Sequence, residues 1–212
     1  MANSRSDDVP ARPPGARRLA PDARRAQLLA CALKVFARRG LGAARHAEIA
    51  AEAGMSVPTV FVYFPTREAL VQAVLDEVGR LIHDDVLKPL QRDEVPAPTV
   101  LRQSALAFAE AIDRYPDHAR VWLDWSTSVR DELWPRYLAF QDRVQALLLT
   151  TTLRGKAEGS LPADLDAEDA VRLLIGSAYM IAQMKLTGTD NARVRHFIES
   201  LVEGFLFRPR ER

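Results

Sequence analysis

Apolar residues return at helical spacing from Asp22 onward. Leu28, Ala32, Val35 and Phe36 fall at i, i+4, i+7 and i+8, and Gly40 supplies the residue that ends such a run, which predicts a helix over 22–39. A short helix over 46–53 follows and runs into Gly54-Met55-Ser56. Beyond it Val57, Val60, Phe61 and Phe64 repeat at i, i+3, i+4 and i+7. Ser56 is a good N-cap, Pro58 sits in the first turn where its missing N–H costs nothing, and Pro65 ends the run. Two short helices meeting across a glycine turn read as a helix-turn-helix. Thr66 then caps a longer helix, with Glu68 in its first turn, that Leu70, Val74, Leu75, Val78, Leu81 and Ile82 carry toward Leu87. Pro89, Pro96 and Pro98 interrupt the chain, and helical patterns resume at about 98–114, 117–128, 132–157, 167–187 and 191–207. Neither strand alternation nor an internal repeat is visible, so the expected class is all-α.

Composition sharpens that picture. Aromatics make up 7% of the 212 residues and Ala, Leu, Arg and Glu dominate, a mixture that argues against a sandwich or barrel. A lone cysteine, Cys31, allows no intramolecular disulfide and no cysteine-based zinc site; it reads as core packing in a reducing, cytoplasmic setting. Residues 1–21 mix prolines with Arg5, Arg12, Arg17 and Arg18, which reads as a flexible basic arm without the apolar core of a signal peptide. No stretch approaches the ~18 apolar residues of a membrane span, so neither secretion nor membrane insertion is expected. Charge is divided unevenly: residues 1–67 hold 11 Lys+Arg against 5 Asp+Glu, and residues 68–212 hold 18 against 23. A basic first third on a nearly neutral chain is the electrostatic footprint of a nucleic-acid-binding module.

A helix that reads DNA must pack one face and offer the other to bases and phosphates. In the 57–63 helix the expected inner face is Val57, Val60, Phe61 and Phe64. That leaves Pro58, Thr59, Val62 and Tyr63 outward, beside Arg45, His46 and Arg67. The plainer alternative is a generic helical hairpin with exposed apolar residues. The four histidines are scattered without metal-ligand spacing, so no metal is expected. His83-Asp84-Asp85 and Asp131-Glu132 read as acids at helix ends, and no nucleophile elbow, P-loop or dinucleotide fingerprint is present. The sequence therefore predicts neither an enzyme nor a cofactor.

Residues 22–75 resemble the TetR family of transcriptional regulators. The resemblance rests on Phe36-Ala37-Arg38-Arg39-Gly40, Ile49-Ala50, Gly54, the run from Ser56 to Pro65, and Arg67-Glu68-Ala69-Leu70. Val121-Trp122-Leu123-Asp124-Trp125-Ser126 and Arg130-Asp131-Glu132-Leu133-Trp134-Pro135 are similar to the LuxR/HapR/SmcR subgroup of quorum-sensing master regulators. This resemblance implies an Ω-shaped homodimer with residues 22–66 as a DNA-binding domain and residues 67–212 as a helical regulatory and dimerisation domain. It implies that Thr59 and Tyr63 meet phosphates or base edges, that Pro58 and Val62 make apolar contacts, and that Arg67, Arg45 and His46 hold the backbone or groove. Arg18 matches an arm that reaches the minor groove. The subgroup has Asn where this chain has Val62, and a glycine-rich stretch at Ala44 and Arg45, so its operator sequence does not carry over.

The same resemblance, together with the aromatic cluster, makes Ile82, Trp122, Tyr137, Gln141 and Gln145 candidates for a pocket that takes a small amphipathic ligand. Core aromatics with glutamines facing water are the alternative. Two stripes, Val171, Leu174, Ile175, Ala178 and Ile181, then Val194, Phe197, Ile198, Leu201 and Phe205, could close a monomer core, but in a two-helix end segment they point to a two-fold dimer interface. The expected function is a dimeric transcriptional regulator on a pseudo-palindromic operator. The alternatives are a master regulator that needs no ligand and, further off, a helical carrier or enzyme for apolar molecules.

Overall fold

The computed structural model describes residues 20–129 and 132–206, the side chains of 205 and 206 excepted. The arm residues Arg12, Arg17 and Arg18, the pair Arg130 and Asp131, and the Phe205 side chain lie outside the described residues. Nine α-helices occupy the described residues: α1 (Pro21–Arg39), α2 (His46–Ala53), α3 (Val57–Tyr63), α4 (Arg67–Leu81), α5 (Ala97–Arg114), α6 (Pro116–Thr127), α7 (Trp134–Ala157), α8 (Ala167–Leu186) and α9 (Asn191–Leu206). No strand occurs among them. Helix α1 begins one residue before the predicted start because Pro21, already fixed near helical φ, serves as its first residue.

The head is a three-helix unit closed by α4. Leu28, Val35 and Phe36 of α1, Ile49 of α2, Val60 of α3, Phe64 after it, and Leu70 and Val74 of α4 bury together. Gly54 ends α2 at φ 62°, a left-handed position that favours glycine, and so sets the angle between α2 and α3. Helix α6 packs on both α1 and α4 and so ties the head to the rest of the chain. The remaining helices surround α5, which touches α6, α7, α8 and α9.

In the body the course of the helices departs from the sequence reading at two places. The predicted single helix to Leu87 instead widens into a π turn over Ile82–Leu87 and tightens into a 3-10 turn over Lys88–Gln91. Pro89 offers no N–H to the Asp85 carbonyl four residues earlier, so the α register cannot be completed there. The Lys88 N–H reaches back to the His83 carbonyl, and the Ser104 hydroxyl of α5 donates to the Val86 carbonyl at 2.7 Å. Second, the stripes expected at a dimer seam face the protomer's own core: Val171, Ile181, Val194 and Ile198 are buried, and Leu174, Ile175 and Ala178 are half-buried. The apolar row left exposed on α8 is Leu173, Gly176 and Met180.

Candidate nucleic-acid interface and regulatory cavity

Helix α3 has only seven residues, far short of what holds a helix together in isolation, so its mount decides its geometry. Ser56 caps its start, its hydroxyl accepting from the Thr59 N–H at 3.3 Å and lying 2.8 Å from the Thr59 hydroxyl. Past its end, Thr66 caps α4 by accepting from the Ala69 N–H at 3.1 Å. The carboxylate of Glu68 is held below the usual carboxylate range by its own backbone N–H and by the Thr66 hydroxyl. Val60 and Phe64 anchor the helix in the core.

Only this narrow stripe turns inward. Val57 and Phe61, expected on the inner face, are exposed at 37% and 45%, because two turns give a single buried row. Pro58 and Val62 are exposed as expected, Val62 at 79%, whereas Thr59 and Tyr63 are half-buried. The outer surface is thus Val57, Pro58, Phe61 and Val62, with the polar tips of Thr59 and Tyr63 beside it.

His46 does not reach this surface freely. It is buried, its Nε2 lies 2.8 Å from the Phe64 carbonyl, and its ring stacks on Phe61 with centroids 4.2 Å apart. A carbonyl can only accept, so Nε2 carries a proton and His46 ties the start of α2 to the end of α3. The expectation of a groove contact is corrected to a positioning role. Arg67 is half-buried and donates to the Leu41 carbonyl, while Arg45 is exposed and makes no ion pair among the described residues. Arg38 and Arg39 are engaged by Glu52 and Glu48 of α2 at 2.8 Å and 2.7 Å.

One residue of the linkage escapes sequence reading. Asp124 of α6 accepts from the Leu41 N–H at 2.6 Å, so both backbone groups of Leu41, in the turn after α1, are held from α4 and α6. The neighbours of Asp124 on α6 face the body: Trp122 packs edge-on to Phe108 and Trp125 against Tyr137 and Phe140. Also on α6, His118 stands 3.9 Å from Glu77 of α4, and burial holds its imidazole below the ordinary value against the pull of that carboxylate.

A cavity of about 100 Å³ lies among the π turn, α5, α6, α7 and α8. Of the predicted residues, Ile82, Trp122, Tyr137 and Gln141 line it. Gln145 does not: the inward row of α7 is Tyr137, Gln141, Val144 and Leu148, and Gln145 falls beside it, half-buried. Ser104 and Ser177 also line the cavity but spend their hydroxyls on the carbonyls of Val86 and Leu174. The Tyr137 and Tyr179 hydroxyls bond to each other, and burial with this bond pushes the Tyr137 phenol far above its ordinary value. Gln141 and the Trp122 indole are the polar lining groups without an intramolecular hydrogen bond among the described residues.

A short helix capped at Ser56, followed at once by the Thr66-capped α4, displayed on a three-helix head and backed by a helical body, is the arrangement of a helix-turn-helix regulator. Comparison gives the family. Residues 28–74 match the bacterial regulatory proteins of the tetR family. Over 186 residues the chain is 32% identical to the HTH-type transcriptional regulator LuxR of Vibrio harveyi, covering 88% of this chain and 90% of LuxR. The chain belongs to the TetR family of bacterial transcriptional regulators. The fold is shared with a TetR-like regulator from Rhodococcus sp. RHA1, at TM-score 0.74 and 21% identity over 88% of this chain and 98% of that one. It is shared too with FadR from Bacillus subtilis in complex with stearoyl-CoA, at TM-score 0.70 and 17% identity over 85% and 97% of the respective chains.

Proposed function

We propose that this regulator binds a pseudo-palindromic operator as a homodimer, with residues 22–66 as the reading head and 67–212 as the regulatory and dimerisation body. The observation that carries the reading is the outward apolar face of α3, whose exposed Val62 stands on a mount capped at Ser56 for α3 and at Thr66 for α4. Exposed apolar side chains there suit thymine methyls in a major groove. Arg45, Arg67 and Tyr63 supply backbone contacts, Thr59 a polar contact to a base edge or phosphate, and Arg18 reaches from the arm. The exposed row Leu173, Gly176 and Met180 on α8 supports a two-fold seam, with Gly176 allowing close approach. A small amphipathic ligand among Ile82, Trp122, Tyr137 and Gln141 acts by fitting one head separation better than the other, since only differential affinity shifts such an equilibrium.

A specific observation supports the second reading, a master regulator that works without a ligand. The cavity of about 100 Å³ is below the usual ~300–1,000 Å³ of ligand sites. Selection of binding sequences from a random duplex pool, followed by titration of the winner at several salt concentrations, tests the DNA reading. A two-fold related sequence with affinity falling steeply with salt is expected. Sequence-indifferent binding overturns it. Sedimentation of the free protein as a monomer at micromolar concentration counts against the dimer.

A further inference from the structure

Helix α6 joins the head to the body through α1 and α4, and a titratable side chain is closed inside its contact with α4. The His118 side chain of α6 is 16% exposed, and its Nε2 lies 3.9 Å from Glu77 Oε1 of α4. Its ring meets Tyr115 edge-on at 5.5 Å and lines, with Val78, Leu81, Ile82, Ala119 and Trp122, a void of about 20 Å³. Such a void has room for about one water. The imidazole is thus shut in mainly by carbon, with one charged partner across the interface.

The charges around it are already committed. Glu77 accepts from Arg80 Nη2 at 2.7 Å and from Arg80 Nε at 3.0 Å, so both of its oxygens serve Arg80. Arg80 also reaches Asp84 of the π turn at 3.2 Å, and Asp84 lies 3.0 Å from His83 Nδ1. From α5, Arg114 sits over the Tyr115 ring and 3.9 Å from Asp85. On α6 itself Asp117 pairs with Arg120 at 3.0 Å, and Arg38 of α1, held by Glu52, stands within electrostatic reach of Asp117. A proton on His118 therefore puts a cation into a carbon-lined site whose nearest anion is engaged elsewhere. A buried charge in that position is either neutralised or moved to water.

We propose that His118 is a proton-controlled latch between α6 and α4. The neutral ring closes the contact. The imidazolium swings to solvent, α6 loosens from α4, and the grip of Asp124 on Leu41 no longer holds the head at one angle. Acid then weakens operator binding without any ligand, because the two heads of the dimer lose their fixed separation. Burial, which holds the imidazole below its ordinary value against the pull of Glu77, agrees in direction. The latch rests on the DNA-binding dimer above and is independent of the internal cavity.

NMR titration of the histidine Cε1–H signals, in the free full chain and in its complex with the selected operator duplex, tests the latch. The His118 signal is the one displaced by Glu77→Gln and missing from His118→Gln. If protonation and operator binding oppose each other, linkage requires the His118 pKa to fall on operator binding. DNA phosphates acting through space would raise it, so the sign separates the latch from the field of the DNA. Between about pH 7.5 and about pH 5.5 at fixed salt, wild-type operator affinity should fall about threefold more than that of His118→Gln, within the tenfold per pH unit that one linked proton allows. Glu77→Gln removes the anion that favours the charged ring and should move the midpoint of that fall to lower pH. Circular dichroism at neutral pH checks that each variant is folded. A His118 pKa unchanged or raised in the complex, parallel affinity profiles for wild type and His118→Gln, or a midpoint that Glu77→Gln leaves in place overturns the latch. Failure to bind any selected duplex at neutral pH overturns the DNA reading itself, and the latch with it.

Discussion

The head and the body treat apolar surface in opposite ways. On α3, Val57, Phe61 and Val62 are turned out to solvent while polar groups behind them, from Ser56, Thr66 and His46, hold the helix in place. In the body, apolar walls line a small pocket whose hydroxyls are committed to partners within the protein, leaving the Gln141 amide. Apolar residues displayed on a rigid mount mark a surface shaped to meet something flat and extended. An apolar volume with one uncommitted amide marks a space shaped for something small. Asp124 joins the two, because α6 carries Trp122 on the cavity wall and grips Leu41 at the base of the head.

The comparison can be broken most sharply at its most exposed residue. Val62→Asp puts a negative charge on the face turned to DNA and should cost roughly 2–3 kcal/mol of operator affinity, about a hundredfold, measured by anisotropy. Its melting temperature should stay that of the wild type, since Val62 is 79% exposed. Next in size, Asp124→Ala leaves the Leu41 N–H without its partner and should lower stability by roughly 1–3 kcal/mol in urea denaturation. If Asp124 is the link between head and body, that variant also loses any effect of a bound ligand on operator affinity. Ser56→Ala removes the α3 cap and should cost about 1 kcal/mol, with weaker operator binding as the recognition helix frays.

The smallest effect concerns His118 at the junction of α6 and α4. Its imidazole titrates below the ordinary value of 6.5 because burial disfavours the charged form, against the opposing pull of Glu77 and Asp117 and with Arg80 nearby. The unfolded chain therefore takes up the proton first as pH falls, so this contribution to stability is present above about pH 6.5 and is lost as pH drops through the lower folded value. In His118→Gln the loss of stability on acidification through that window should be shallower than in the wild type, as followed by urea midpoints.

The architecture was legible where its causes are local. The α1 periodicity and Gly40, the Ser56 and Thr66 caps and Pro65 after Tyr63 each act within a few residues, and α1 to α3 begin and end within one residue of where these signals place them. The same reasoning failed where the cause is tertiary. A seven-residue helix cannot bury four apolar residues against one core, so Val57 and Phe61 came out exposed. The stripes on α8 and α9 were visible, yet periodicity does not say whether a stripe meets its own protomer or another. Leu41 and Asp124 lie 83 positions apart, beyond any local signal. His46 is expected at the DNA backbone or groove because nothing in its neighbours shows the Phe64 carbonyl waiting for it.

The central claim is that α3 reads base identity through its outer apolar face. The direct measurement is operator affinity of wild type and Val62→Ala against the selected duplex and its set of single base-pair substitutions at fixed salt. The account predicts that Val62→Ala loses discrimination at one position in each half-site, by about 1–3 kcal/mol, and keeps it elsewhere. A uniform loss across all sequences, or wild-type discrimination retained at every position, would contradict it.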